Sequence, residues 1–381
     1  MTAPPAAPSR APSVTPTRTG GLTPLARLPL LMLAFAGLFT GIGAGLARLG
    51  WSMPEVAAAA AALHGPLMVC GFFGVVIGLE RAVAIGRGWV YAGPLLTGLG
   101  GVAAIAGAVP AAAGLFLAGS AVLLAASVEI LRRQTALFTF TMALGAGCWV
   151  VGNALWLAGW AAHEVVPWWL AFLILTIAGE RLELSRFLPP SPLAARVFAL
   201  LLVLIVAGLL GARTAWGAQL FATGLLALAG WLLKQDIARR TVRNKGLTRF
   251  IAVCLLSGYG WLAVGAIVIL IAGGLVEPGT PANDAALHAT GLGFVFSMVF
   301  GHAPIIFPAV LRVAVPWHWS FYAPLALLHG SLALRLAGDA AGNFEWVRAG
   351  GALNAVALAA FVVSTVTAVI RGATLGRRGV G

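Results

Sequence analysis

About twelve apolar runs, each near the ~20 residues that a bilayer's hydrocarbon core requires, occupy this chain almost end to end. They fall at 28–47, 56–80, 89–109, 111–131, 135–159, 165–180, 193–211, 215–233, 250–272, 284–304, 317–337 and 346–370. Hydrocarbon offers backbone N–H and C=O groups no partner, so a spanning segment must satisfy them internally. Long runs rich in Ala, Leu and Gly do this as α-helices, and the short alternating segments of a lipid-facing barrel are absent. With 60% hydrophobic and 9% charged residues, the chain reads as an all-α, polytopic integral membrane protein.

The cations set the orientation. Alternate connections carry Arg81 and Arg87, Arg132 and Arg133, then Arg181, Arg186 and Arg196. Lys234, Arg239, Arg240, Arg243, Lys245 and Arg249 follow, and then Arg312. With those near the termini, twenty of the twenty-four Lys and Arg fall on one side, and only Arg48, Arg213, Arg335 and Arg348 lie opposite. The positive-inside rule makes the crowded side cytoplasmic, with both termini there and the chain in the inner (plasma) membrane. The net charge of +13 is then a topology signal, the partner is the lipid bilayer, and no nucleic acid is expected.

Residues 1–24, rich in Pro, Ala, Ser and Thr, read as a disordered cytoplasmic tail. Residues 25–371 form the transmembrane domain, and 372–381 a short cytoplasmic tail. Cys70, Cys148 and Cys254 lie singly inside runs and read as small packing residues. No internal repeat stands out beyond a brief echo of Gly78-Leu79-Glu80-Arg81 in Gly179-Glu180-Arg181.

Imidazole nitrogens in hydrocarbon must find partners, and imidazole also ligates metals and haem iron. His64 lies about eight residues from the outer end of the second run, ~12 Å deep, and His288 about five residues into the tenth, ~7 Å deep. These depths suit one site, two imidazoles on one haem iron, with Arg48 or Arg335 at outer helix ends pairing with the propionates. The alternative is two unrelated core histidines bonded to Ser, Thr or backbone groups. Met68, Gly71 and Gly78 share the His64 face, where glycines serve either close helix packing or a porphyrin edge. His302 and His329 are candidates for a separate metal, possible copper, or gas-access site; the alternative for His302 is a bond to a carbonyl. His163 and His318 read as loop and interface residues.

His-Gly-Pro-Leu-Met-Val-Cys-Gly-Phe-Phe-Gly at 64–74 resembles the second-helix signature of heme–copper oxidase main subunits. There the helix-two histidine and one from helix ten bind a low-spin haem. Counterparts of the oxidase His-Pro-Glu and His-His motifs are absent, so an oxygen- or nitric-oxide-reducing binuclear centre does not follow. Across the chain, the His64 helix, Gly-Glu-Arg-Leu-Glu-Leu-Ser-Arg-Phe at 179–187 and His-Ala-Thr-Gly-Leu-Gly at 288–293 resemble the NnrS family. Gly-His-Ala-Pro at 301–304 occupies the place of a Gly-His-Thr-Gly-like element. Where that family has a His-x-His-Glu-like pattern entering helix two, this chain has His64 alone. It also has no Arg just before Gly301-His302. The resemblance implies haem, copper and a role in nitric oxide stress or denitrification.

Two rival classes remain at this level, a haem-containing sensor or assembly scaffold and a secondary transporter of a small neutral solute. Ion-coupled carriers place acids near the midplane, whereas Glu55, Glu80, Glu129, Glu180, Asp236, Asp284 and Asp339 all sit at or near run ends. Glu80–Arg81 and Glu180–Arg181 read as interfacial ion pairs. The topology predicts that a reporter active only in the periplasm stays silent when fused into 234–249. Strong activity there would reverse the layout.

Overall fold

The computed structural model describes residues 20–185, 191–273 and 278–378. Residues 1–19 and 379–381 of the expected tails, with Arg10, Arg18, Arg186 and Glu277, lie outside the described residues. Every regular element among the described residues is a helix. Eleven of them are long and apolar enough to cross a membrane. These are α1 (Pro24–Arg48), α2 (Ala61–Ile85), α3 (Gly88–Ile105), α4 (Val109–Arg133), α5 (Leu137–Leu157) and α6 (Ala162–Ser185). They continue with α7 (Pro192–Leu210), α8 (Ala215–Gln235), α9 (Gly246–Ala272) and α10 (Pro281–Leu311). After α11 (Tyr322–Ala341) comes α12, which runs Phe344–Arg378, past the expected end of the core at 371.

All twelve expected segments are therefore helical. The one outside the apolar eleven is α11, whose hydropathy is lowered by His329, Arg335 and Asp339. Local chemistry starts and stops the helices. Thr23, Ser191, Thr214 and Thr280 each accept a backbone N–H of the first turn through the side-chain oxygen. Gly86 and Gly342 end α2 and α11 at φ of 70° and 63°, a conformation glycine enters without a Cβ clash.

Small residues let the helices approach. A Cβ on Gly37 of α1 would come within 3.0 Å of the Gly71 backbone of α2, and Gly71 in turn faces Gly101 of α3. The glycines below His64 thus serve close helix packing here. Aromatic bulk fills the opposite side of α2, where the Trp149 indole of α5 covers Gly74 and lies 4.5 Å from the Phe172 ring of α6.

A buried polar chain ties this half together. Asn153 of α5 accepts at Oδ1 from Trp169 Nε1 (3.0 Å) and Cys70 Sγ (3.4 Å), and its Nδ2 donates to the Phe116 carbonyl (3.1 Å). Cys70 accepts from Trp149 Nε1 at 3.3 Å, so this cysteine is bonded at both ends rather than merely packed. At the arginine-rich end, Arg181 makes a two-pronged ion pair with Asp236 (2.7 and 2.9 Å), which also accepts from the Tyr259 hydroxyl at 2.5 Å. Arg181 is thus paired across helices and not with Glu180, whose carboxylate instead lies 3.9 Å from Arg81.

Replacing Asn153 by Ala leaves two indole or thiol donors and one carbonyl without partners in a dry interior. The expected loss is about 1–3 kcal/mol, read as a lower midpoint in detergent-mediated unfolding. An unchanged midpoint would show the chain to be dispensable.

Candidate functional site

The two histidines read as one site sit on the two helices that depart from α geometry. In α2 a single turn, His64–Pro66, leads into a π-helix over Leu67–Gly74. In α10 the α-helical segment ends at His288 and a π-helix follows over Ala289–Phe296. Each π stretch is eight residues long, well beyond the single-turn bulge that is usual and often functional. Pro66 supplies a local cause in α2, since it has no N–H for an i→i−4 bond; α10 has no proline before its π stretch.

The two imidazoles face each other across these helices, with ring centroids 6.3 Å apart and planes 20° from parallel. Each histidine is followed eight residues later by a phenylalanine, and Phe72 and Phe296 lie 6.0 Å apart with planes within 6°. The imidazole pair therefore has an aromatic floor. Ala-Ala-Leu-His occurs at both 61–64 and 285–288, so a short repeat is present after all. It was legible, but four residues among so many alanines and leucines carry no weight until the rings meet.

Both rings are held the same way. His64 Nδ1 lies 2.7 Å from the Gly41 carbonyl of α1, and His288 Nδ1 lies 2.8 Å from the Asp284 carbonyl. A carbonyl only accepts, so Nδ1 carries a proton in each ring. Gly45 makes room for His64, because a Cβ there would lie 2.9 Å from the imidazole.

Around this shared pattern the environments differ. Asp284 also places its carboxylate Oδ1 3.2 Å from His288 Nδ1. Arg335 of α11 grips that carboxylate with Nε and Nη2, both at 2.6 Å. Gly350 and Gly351 of α12 open the space for this arginine; a Cβ at Gly350 would come within 2.8 Å of it. Arg335 was expected to meet propionates, yet its fork is filled by Asp284, a residue that sequence reasoning did not place at the site. Arg48 is the last residue of α1.

The structure does not bring His302 or His329 into a metal-binding group. Among the described residues no set of three or more His, Cys, Asp or Glu side chains is placed to hold a metal ion. His302 Nδ1 donates to the Met298 carbonyl of its own helix at 2.7 Å, the carbonyl-bonded alternative. His329 Nδ1 accepts from Trp261 Nε1 at 2.9 Å, which places the proton on a buried Nε2 without a partner. His163 and His318 are exposed.

Two imidazoles on one metal would need two metal–nitrogen bonds of about 2 Å, and with roughly 1 Å from each nitrogen to its ring centre the centroids stand about 6 Å apart. The observed spacing of 6.3 Å is compatible with such a pair. Residues 27–370 match the model of a family described as a domain of unknown function, DUF8744. No curated protein and no solved structure matches the chain.

Proposed function

We propose that this chain, which belongs to the DUF8744 family, is a haem-binding membrane protein that holds one iron between His64 and His288. The observation that carries the reading is the imidazole pair itself: matched Nδ1–carbonyl bonds, no Nε2 hydrogen bond on either ring among the described residues, and a centroid spacing compatible with one shared metal. A haem bound there, held by His64 and His288, would supply one-electron redox chemistry. The carbonyls of Gly41 and Asp284 orient the rings. The setting in nitric oxide stress or denitrification is carried by the resemblance to the NnrS family and not by this geometry. Copper rests on the resemblance alone; His302 and His329, like the histidine pair, belong to no group of three or more His, Cys, Asp or Glu placed to hold a metal ion among the described residues.

Spectra of purified protein, oxidised and dithionite-reduced, test the reading. The wild type is expected to show a low-spin haem, and His64→Ala and His288→Ala are each expected to abolish it while the protein still inserts. A wild type without haem, or a variant that keeps the full spectrum, overturns it.

The Asp284–Arg335 pair adds a second expectation. Its two charges stand beside His288 and oppose each other, with the Asp339 carboxyl also near them, so removing either one changes the net charge beside the ring. Asp284→Asn should raise the haem midpoint potential and Arg335→Gln should lower it. Each should shift the ferric-to-ferrous ratio about tenfold, or 59 mV for one electron. A redox titration in which both variants move in the same direction would make the pair a structural strut only.

A further inference from the structure

A cavity of about 340 Å³ opens at the end of the bundle remote from the histidine pair. The start of α1, the inner end of α2, Tyr91 of α3 and the end of α10 enclose it. This is the arginine-rich face, which the distribution of cations assigns to the cytoplasmic leaflet.

Its polar side chains are nearly all donors. Arg27, only 7% exposed, gives Nε to the Leu22 carbonyl at 2.9 Å and Nη1 to the Val310 carbonyl at 2.6 Å. Those two bonds fix the guanidinium between α1 and α10 and leave three of its five N–H groups without a protein partner among the described residues. The Tyr91 hydroxyl is buried and has no hydrogen-bond partner, and Tyr91 as a whole is 5% exposed. Arg312 closes α10 in the left-handed region at φ 55°, the one such non-glycine among the described residues, and its side chain is exposed at the rim. Thr23, whose oxygen caps α1, is the remaining polar side chain. Among the described residues no carboxylate, carboxamide or imidazole lines the cavity.

A preorganised arginine, a rim arginine and an orphaned phenol, with no anion of the protein's own, select for an anion. A tetrahedral phosphate has the acceptor oxygens to meet all three donors, and arginine binds it with matched geometry. We propose that this cavity is a binding site for a phosphate group, presented by an anionic phospholipid headgroup of the adjoining leaflet or by a soluble phosphate compound. The bound oxyanion would satisfy the Tyr91 hydroxyl and join the inner ends of α1, α3 and α10 through Arg27, Tyr91 and Arg312. Basic pockets between helices on the cytoplasmic side are suited to such headgroups. The site stands independently of the haem reading, because it shares no residue with it.

Arg27 is left intact in the test because it also holds the end of α10. Full-length protein is delipidated and examined by native mass spectrometry with phosphatidylglycerol or phosphatidylcholine, and by thermal melting with inorganic phosphate. Wild type, Arg312→Gln and Tyr91→Phe are compared with Arg213→Gln, which removes a cation from the opposite face. Saturable retention of phosphatidylglycerol over phosphatidylcholine, weakened about tenfold in both site variants and unchanged in Arg213→Gln, supports the site with a lipid as its source. Saturable stabilisation by inorganic phosphate without phosphatidylglycerol retention, lost in both site variants, supports it with a soluble source. Absence of saturable binding by either probe overturns the proposal. So does wild-type binding in both site variants, or equal weakening in Arg213→Gln.

Discussion

Hydrocarbon offers the backbone no hydrogen-bond partner, and the architecture follows from that one constraint. It compels helices, and it also governs how a site is made inside them. A carrier can open a helix where a water-filled cavity takes over the freed backbone groups. This chain instead changes the winding: over Leu67–Gly74 and Ala289–Phe296 the backbone remains helically bonded in π geometry. Side-chain directions shift while no backbone donor is abandoned to lipid. The two imidazoles and the two phenyl rings beneath them meet on helices wound this way.

Polar groups in such a bundle are costly alone and stabilising when saturated, which explains where they concentrate. Asn153 gathers two indoles, a thiol and a carbonyl into one dry chain through Cys70, and Asp236 collects Arg181 and Tyr259 near the arginine-rich end. The histidine pair is saturated only on one side of each ring. His302 has the same Nδ1–carbonyl bond, and what distinguishes the pair is that its two rings face each other. Glycine enables it sterically: Gly45 admits the His64 ring, while Gly350 and Gly351 admit the guanidinium that steadies Asp284.

Much of the site was legible from depth alone. His64 and His288 could be placed at similar levels because helix rise is constant and both lie near outer helix ends. Asp284 could also have been found, since it precedes His288 by one helical turn and shares its face. Its bond to Arg335 could not, because fifty-one residues separate them and only the packing of α10 against α11 makes them neighbours. Glu180 illustrates the same limit. Sequence adjacency suggested Arg181 as its partner, yet consecutive residues on a helix point apart, and Arg181 turned to Asp236 instead.

Sequence by itself determined the class, the number and rough bounds of the helices, and the side on which arginine gathers. Those properties depend on local apolarity and on charge counted along the chain. Tertiary structure alone decided which residues share a site. It turned Ala-Ala-Leu-His at 61–64 and 285–288 from a coincidence of composition into a facing pair, and it gave Arg335 to Asp284. It also brought Tyr91 and Arg27 together around one cavity. The physical reason is that helix periodicity sets only which face a residue occupies, whereas the rotation of each helix against its neighbours is fixed by contacts such as Gly37 on Gly71 that exist only once the bundle has closed.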